Sequence, residues 1–97
     1  MVEHIVLVKF SEEATAEKKA AMAEELRGLK GKIPGILDIS VGDNFSARAQ
    51  GFDRGLVVRL ENEEALAGYS SHPEHVRVAN DHIKPIIKDI LAVDYTF

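Results

Sequence analysis

The chain has 97 residues, 45% of them hydrophobic and 29% charged, with a formal net charge of -4 and no cysteine. This length allows one domain, residues 1–97, and the composition is that of a globular protein rather than a disordered or fibrous one. The lack of cysteine excludes disulfides, thiolate metal ligands and a cysteine nucleophile, and an acidic chain without a basic stripe argues against nucleic acid as a partner.

Targeting and membrane-spanning segments are not expected from the sequence. The longest aliphatic run is the four residues Ile5-Val6-Leu7-Val8, far short of the roughly 20 that cross a bilayer as a helix. Glu3 lies where a secretory signal peptide carries basic residues. We therefore expect a cytoplasmic protein without a membrane partner.

The N-terminal third of the chain predicts a strand and then a helix. His4 to Phe10 is a β-branched and aromatic run of strand length. Thr15 is a candidate N-cap for the helix that follows. One face of this helix is apolar, at spacings of four, three and four residues, and is formed by Met22, Leu26, Leu29 and Ile33. Gly31 and Pro34 are expected to end it.

The middle of the chain predicts two strands joined by a loop. Between Gly35 and Phe45 apolar and polar residues alternate, which is typical of a strand with one polar face; the apolar positions are Leu37, Ile39 and Val41. Residues 46–53 form a loop around Gly51, and Gly55 to Leu60 forms the third strand.

The remainder predicts a helix in two pieces and a last strand. Asn62 can cap a short helix that ends near Tyr69, and Pro73 is well placed as the first residue of the next helix. The face of that second helix is predicted to run through Val76, Ala79 or Asn80, Ile83 and Ile87, with Pro85 expected to bend or restart it. Leu91 to Phe97 is predicted to close the chain as a strand.

The element order β-α-β-β-α-β predicts an α+β, ferredoxin-like fold, with a four-stranded antiparallel sheet and helices on one face. Both faces of the predicted sheet are apolar. In the first strand Val6 and Val8 point one way while Ile5 and Leu7 point the other. Helices cover only one face, so the other needs a partner, and a second copy of the same sheet is the simplest one. We therefore predict a homodimer joined through the sheet faces.

Four segments give the chain a family resemblance. They are His4 to Phe10 (HIVLVKF), Ile33 to Ile36 (IPGI), Tyr69 to Val76 (YSSHPEHV) and Val93 to Thr96 (VDYT). With them the whole chain resembles the stress-responsive A/B barrel domain family, called Dabb, whose members form dimeric α/β barrels. The resemblance implies that fold and a homodimer. Some members are plant stress-associated proteins, and others are cofactor-independent polyketide cyclases that close a ring by an aldol-type reaction.

The cyclase-like members imply candidate catalytic residues at Tyr69 and His75. A histidine in the first turn of a helix should favour its neutral form, because the helix dipole repels the imidazolium, and can then act as a base. A nearby tyrosine can donate a hydrogen bond to an enolate oxygen. Together they suit carbon–carbon bond formation next to a carbonyl. His4, which the family often places at the start of its first strand, is a candidate third member of the same pocket.

The rest of the predicted pocket is less specific. Arg54 is a candidate polar wall beside His4, and Met22 and Leu26 are candidate apolar contacts from the first helix. Cyclase-like members carry a histidine near the start of the third strand, where this chain has Arg54 and Gly55, and no aromatic wall is predicted here to hold a flat intermediate. The His and acidic residues match no metal-binding motif, so neither a metal site nor a cofactor is predicted.

Two functional hypotheses remain open from the sequence. In the first, the protein is a cofactor-free acid–base enzyme of the cyclase, lyase or isomerase type, or a binder of a small hydrophobic or carbonyl-containing ligand. In the second, it is a non-catalytic stress-associated protein, and Tyr69, His72 and His75 serve as core and helix-cap residues. A cavity of a few hundred Å3 shared by Tyr69, His75 and His4 would favour the first hypothesis.

Overall fold

The structure is a computed structural model that describes all residues from 1 to 97. The chain contains four strands and three α-helices. Their bounds are β1 Val2–Phe10, α1 Ala16–Gly28, β2 Ile36–Asp43, β3 Arg54–Leu60, α2 Glu63–Ser71, α3 Pro73–Val78 and β4 Ile87–Thr96. None of the helices has both the length and the apolar character needed to cross a lipid bilayer.

The strands form one antiparallel sheet in the order β2-β3-β1-β4, and the helices pack on one face of it. This confirms the predicted ferredoxin-like fold. The face under the helices, called the inner face, carries the even-numbered residues of β1, and the opposite side is called the outer face. The register aligns His4 with Val58 and Asp94, and Val6 with Leu56 and Ala92, on the inner face.

The hydrophobic core fills the space between the inner face and the helices. The predicted apolar residues Met22, Leu26, Leu29 and Ile33 are all buried. Met22 and Leu26 lie in α1, whereas α1 ends earlier than predicted, so Leu29 lies in the 3-10 turn that follows and Ile33 lies beyond it. The predicted caps are confirmed as well. The Thr15 side chain accepts a hydrogen bond from the backbone N–H of Lys18, and the Asn62 side chain accepts one from the N–H of Ala65. These caps fix where α1 and α2 begin.

Two details of the strands differ from the sequence prediction. Alternation predicts that Leu37 shares a face with Ile39 and Val41, but Leu37 is exposed, and Ile36 packs against the core in its place. The cause is an irregular register between Ile36 and Asp38, where β2 carries one residue more than its partner strand β3. An extra residue of this kind reverses the alternation of side chains on one side of the bulge.

The last strand also begins earlier than predicted, at Ile87 rather than at Leu91. A π-helical turn at Ala79–Ile83 and a 3-10 turn at Lys84–Ile86 end the helical segment just before it. Ile87 therefore lies in β4 and not on the predicted helix face. The longer strand pairs with β1 along its whole length, from Phe10 opposite Ile87 to Val2 opposite Thr96.

An apolar strip runs across the outer face, which no helix covers. Its residues come from three neighbouring strands: Ile5, Leu7, Val57, Leu91, Val93 and Tyr95. The three from β4 have 46% to 48% of their surface exposed. At one end of the strip Arg59 forms a two-pronged ion pair with the largely buried Glu3. Apolar side chains on a surface of this kind mark an interaction face.

The buried Leu29 and the exposed Leu37 are expected to respond differently to truncation. Leu29→Ala should lower the free energy of unfolding by about 2 to 5 kcal/mol, because Leu29 has no exposed surface and its truncation leaves a cavity. Leu37→Ala is the matched control and should change it by about 0.5 kcal/mol or less. Urea unfolding monitored by circular dichroism measures both. A large loss for Leu37→Ala would mean that Leu37 is buried and the β2 register is wrong.

Candidate functional site

The segment between α2 and α3 positions the two candidate catalytic residues. Asn62 starts α2, and Tyr69 lies in its last turn with its side chain in the core. His72 adopts an extended backbone conformation that ends the helix, and its Nδ1 accepts a hydrogen bond from the N–H of Glu74. Pro73 then begins α3 at a position where its missing N–H costs nothing. This sharp junction places His75 in the first turn of α3, facing back toward Tyr69.

Tyr69 lies between two histidines. The ring centroids of Tyr69 and His75 are 4.5 Å apart, and those of Tyr69 and His4 are 5.7 Å apart in an edge-on arrangement. The structure therefore brings these three predicted residues together. Only 1% of the Tyr69 surface is exposed, and its buried hydroxyl has no hydrogen-bond partner in the chain. A buried hydroxyl without a partner is costly, and Tyr69 therefore keeps an unused hydrogen-bond donor that a water or a ligand would satisfy.

Hydrogen bonds orient both histidine rings. Nδ1 of His75 lies 3.1 Å from the carbonyl oxygen of Ser70, and a carbonyl only accepts, so Nδ1 carries the proton. In neutral His75 the other ring nitrogen, Nε2, is then the free acceptor. Nδ1 of His4 bonds to the carboxylate of Asp94 on the neighbouring strand. This contact fixes the His4 ring and directs its Nε2 away from Asp94.

Burial sets the protonation states of the pair. It raises the pKa of Tyr69 to about 12, because the phenolate would lose its contact with water. It also lowers the pKa of His75 from 6.5, and nearby His4 acts in the same direction, while the bond to the Ser70 carbonyl opposes the shift. At neutral pH the site therefore presents a neutral phenol as a hydrogen-bond donor and a neutral imidazole as a base.

The three residues line a cavity of about 310 Å3 between the helices and the inner face of the sheet. Most of its wall is apolar and comes from β1, β3, β4, the three helices and the segment between α3 and β4. The other lining residues are Val6, Leu26, Leu56, Ser70, Ala79, Ile83, Lys84, Ile87, Ile90 and Ala92. No carboxylate lines it, although the chain carries 16 acidic residues. Negative charge that develops on a ligand in this cavity thus meets no like charge in its wall.

The other predicted binding residues separate into two groups. Leu26 lines the cavity, whereas Met22 and Arg54 line a smaller neighbouring void of about 20 Å3. The Arg54 guanidinium pairs with Asp43, at 3.0 Å, and donates to the carbonyl of Lys19. It also lies over the Phe10 ring. These contacts direct the Arg54 guanidinium toward Asp43 and Lys19. Arg54 therefore does not line the cavity with Tyr69, His75 and His4.

Sequence reasoning missed two components of the site. One is Asp94, the partner of His4, and the other is the β4 wall formed by Ile90 and Ala92. Because successive side chains of a strand point to opposite faces of the sheet, the sequence indicates that Asp94 lies on the other face from Val93 and Tyr95. Its pairing with His4, however, depends on the register between the first and last strands of the chain. Three or more His, Asp or Glu side chains are nowhere grouped so that they could hold a metal ion.

The sequence family agrees with this architecture. The family model described as "Stress responsive A/B Barrel Domain" matches residues 2–97. The chain belongs to this family. Within the Dabb family it is 38% identical, over 96 residues, to a stress-response A/B barrel domain-containing protein of Arabidopsis thaliana. The match includes 98% of this chain but 36% of the Arabidopsis protein, so the chain spans about a third of that relative.

Two further comparisons cover nearly the full length of both proteins. Olivetolic acid cyclase of Cannabis sativa is 27% identical over 97 residues, which is 98% of this chain and 95% of the cyclase. The crystal structure of At3g17210 from Arabidopsis thaliana superimposes with a TM-score of 0.91 at 26% identity, covering 99% of this chain and 94% of that one.

Some solved structures with this fold are described as dimers. A ferredoxin-like protein from Thermobifida fusca matches with a TM-score of 0.86 at 24% identity and covers 99% and 90% of the two chains. A protein from Bacteroides fragilis matches with a TM-score of 0.78 at 28% identity and covers 99% and 95%. Both are described as dimeric and of unknown function. Proteins with the same fold as this chain are thus described as dimers.

Burial of His75 predicts a pH-dependent stability. Its pKa is lower in the folded chain than the ordinary 6.5, so the unfolded chain binds more protons between the two values. The stabilisation is fully present above pH 6.5 and is lost as the pH falls through the lowered pKa. The urea midpoint of the wild type should therefore decline relative to that of His75→Gln between about pH 7.5 and about pH 5. A difference between the two proteins that does not change with pH would contradict this.

Proposed function

We propose that this Dabb-domain protein binds a small, largely apolar carbonyl compound in the 310 Å3 cavity and catalyses proton transfer next to its carbonyl group. The observation that carries the proposal is the cavity wall shared by Tyr69 and His75, whose ring centroids are 4.5 Å apart, together with the Tyr69 hydroxyl, which has no hydrogen-bond partner in the chain. A carbonyl oxygen is an acceptor that would satisfy this donor. The carbon next to that carbonyl carries the proton that His75 can remove.

The proposed step uses His75 as the base and Tyr69 as the oxyanion donor. His75 Nε2 takes a proton from the carbon next to the carbonyl, and the electron pair moves into the enolate. Tyr69 donates its hydrogen bond to the enolate oxygen, where the negative charge develops. The high pKa of Tyr69 keeps this proton on the phenol. His4, held by Asp94, packs edge-on against the Tyr69 ring and limits its movement. The enolate is the species that attacks a second carbonyl in an aldol-type closure.

The cavity limits which ligands are suitable. Its volume corresponds to about ten water molecules, so a ligand of roughly that number of heavy atoms fills it. Its apolar wall favours an alkyl or aryl body, with the polar atoms of the ligand confined to the end near Tyr69 and His75. Olivetolic acid cyclase, whose full length this chain resembles, supports a reaction of the carbon–carbon bond-forming type. The chain's own substrate is here defined only as a compact apolar carbonyl compound.

The functional unit we propose is a homodimer joined through the outer sheet faces. The strip formed by Ile5, Leu7, Val57, Leu91, Val93 and Tyr95 has no cover within one chain. A two-fold interface would bury the same strip from both copies. Structures with this fold that are described as dimeric support a dimer, and the apolar strip supports the outer face as its interface.

A second candidate function is that of a non-catalytic, stress-associated dimer. The 38% identity to the Arabidopsis thaliana relative, which is named as a stress-response protein, favours it. In that case the cavity stays unused and Tyr69 contributes its ring to the core. The two candidates differ in what the cavity does, and this difference can be measured.

The test uses phenylacetone, a compact aryl ketone with an acidic C–H next to its carbonyl, and its alcohol as the matched control compound. Proton NMR in D2O follows exchange of the protons next to the carbonyl, with and without the protein. The proposal predicts that the protein accelerates exchange above the buffer rate and that the ketone raises the melting temperature more than the alcohol does. If neither phenylacetone nor a panel of compact alkyl and aryl ketones binds or exchanges, the non-catalytic candidate is the better one.

A further inference from the structure

The loop between β2 and β3, residues 44–53, is held rigidly by its own hydrogen bonds. The Asn44 side chain donates to the carbonyl of Phe52 at 2.9 Å and accepts from the N–H of Ser46 at 3.0 Å. The Ser46 side chain in turn accepts from the N–H of Arg48 at 3.0 Å. Gly51, with a φ of 86°, makes the return turn that a residue with a side chain rarely adopts.

Contacts to β1 attach this loop to the sheet. The carboxylate of Asp53 accepts from the N–H of Phe10 at 2.8 Å, and the N–H of Asp53 donates to the carbonyl of Val8. The Lys9 ammonium lies 4.7 Å from the centre of the Phe52 ring. Both ends of the loop are thus fixed, and its conformation does not depend on apolar packing within the loop.

Phe45 lies in this hydrogen-bonded loop, and its surface is 100% exposed. The next most exposed of the large hydrophobic residues, Phe97, is 57% exposed and contacts Tyr95 and Arg59. A phenylalanine held in water on a rigid loop gains nothing for the isolated chain. Aromatic side chains presented in this way are typical of residues that anchor an interface, since little conformational entropy is lost when they dock.

We infer that Phe45 anchors the homodimer by packing against the second copy of the chain, at the rim of the outer sheet face. This inference rests on the proposed homodimer. Phe45 lies two residues after the end of β2, an edge strand of the sheet whose outer face forms the proposed interface. Phe52 of the same loop packs on Lys9, an odd-numbered residue of β1 and therefore on the outer face, so the loop borders that face. Two-fold symmetry repeats a contact made there, so each dimer contains two Phe45 anchors. A second copy is therefore the occupant that continuity with the proposed interface favours.

The chain contains no tryptophan, which allows a direct test with Phe45→Trp. At concentrations where the protein is dimeric, the emission should be shifted to shorter wavelength and protected from acrylamide. It should move to longer wavelength when Leu91→Asp is added to break the interface. Val76→Trp is the matched control, because Val76 is 44% exposed on α3 and away from the outer face, so its emission should be the same in both states.

A second measurement uses truncation. Phe45→Ser should raise the Kd of the dimer by roughly 10- to 100-fold in analytical ultracentrifugation, whereas Ala47→Ser, in the same loop, should leave it unchanged. Solvent-exposed emission of Phe45→Trp in a protein that is still dimeric would overturn the inference and leave the homodimer intact. A wild type that is monomeric at micromolar concentration would overturn the homodimer itself, and with it this role of Phe45.

Discussion

His75→Gln is expected to lower the rate of ketone proton exchange by on the order of 10²- to 10⁴-fold, because glutamine keeps a polar side chain of similar reach but cannot take the proton. Tyr69→Phe removes only the hydroxyl and should lower the rate by on the order of 10²- to 10³-fold, the effect of losing one oxyanion donor. Initial rates of deuterium incorporation, followed by NMR at fixed protein concentration, measure both. The wild-type rate should level off above pH 6.5, since His75 is neutral there.

The matched control for these variants is His72→Asn. His72 lies three residues from both Tyr69 and His75 in sequence but caps α3 and does not line the cavity. Asparagine is a good N-cap, so both the melting temperature and the exchange rate should stay close to wild type. The proposed chemistry is wrong if His75→Gln and Tyr69→Phe lower the melting temperature by several degrees while the exchange rate of the folded protein is unchanged.

Leu91→Asp is expected to convert the homodimer into monomers. The substitution occurs twice in a two-fold interface and buries two unpaired carboxylates in the apolar strip, so we expect the Kd to rise by on the order of 10³-fold. Light scattering at micromolar concentration should give about the single-chain mass of 10.7 kDa for this variant and about twice that mass for the wild type.

Val76→Asp provides the matched control for this experiment. It introduces the same charge on α3, on the opposite side of the molecule from the outer face. The dimer should therefore remain intact. If Leu91→Asp is as dimeric as Val76→Asp, the subunits do not meet through the outer face, whatever their oligomeric state.

Local patterns in the sequence were enough to predict most of the fold. The caps at Thr15, Asn62 and His72 could be predicted because a cap depends on residues two or three positions away. The buried side of α1 followed from its spacing alone. Tyr69 and His75 were paired through the family resemblance, and the structure places their rings 4.5 Å apart.

The features that the sequence did not predict are those that depend on pairing between distant segments. Leu37 fits the alternation of β2, but the extra residue near it is visible only against β3. The contact between His4 and Asp94 joins residues 90 positions apart. The volume of the predicted pocket is a third case, since it is the space that all surrounding side chains leave unfilled.

Alternating residues of β4 divide two tasks between them. Ile90 and Ala92 line the cavity and Asp94 holds His4, whereas Leu91, Val93 and Tyr95 form part of the outer strip. Insertion of one residue at the start of β4 would exchange these two sets between the faces and damage both at once. Because the cavity and the proposed interface share β4, a displacement of β4 caused by ligand binding also changes the interface. A displacement of β4 caused by dimer formation likewise changes the cavity. Reciprocal linkage then requires that a ligand which tightens the dimer is itself bound more tightly by the dimer.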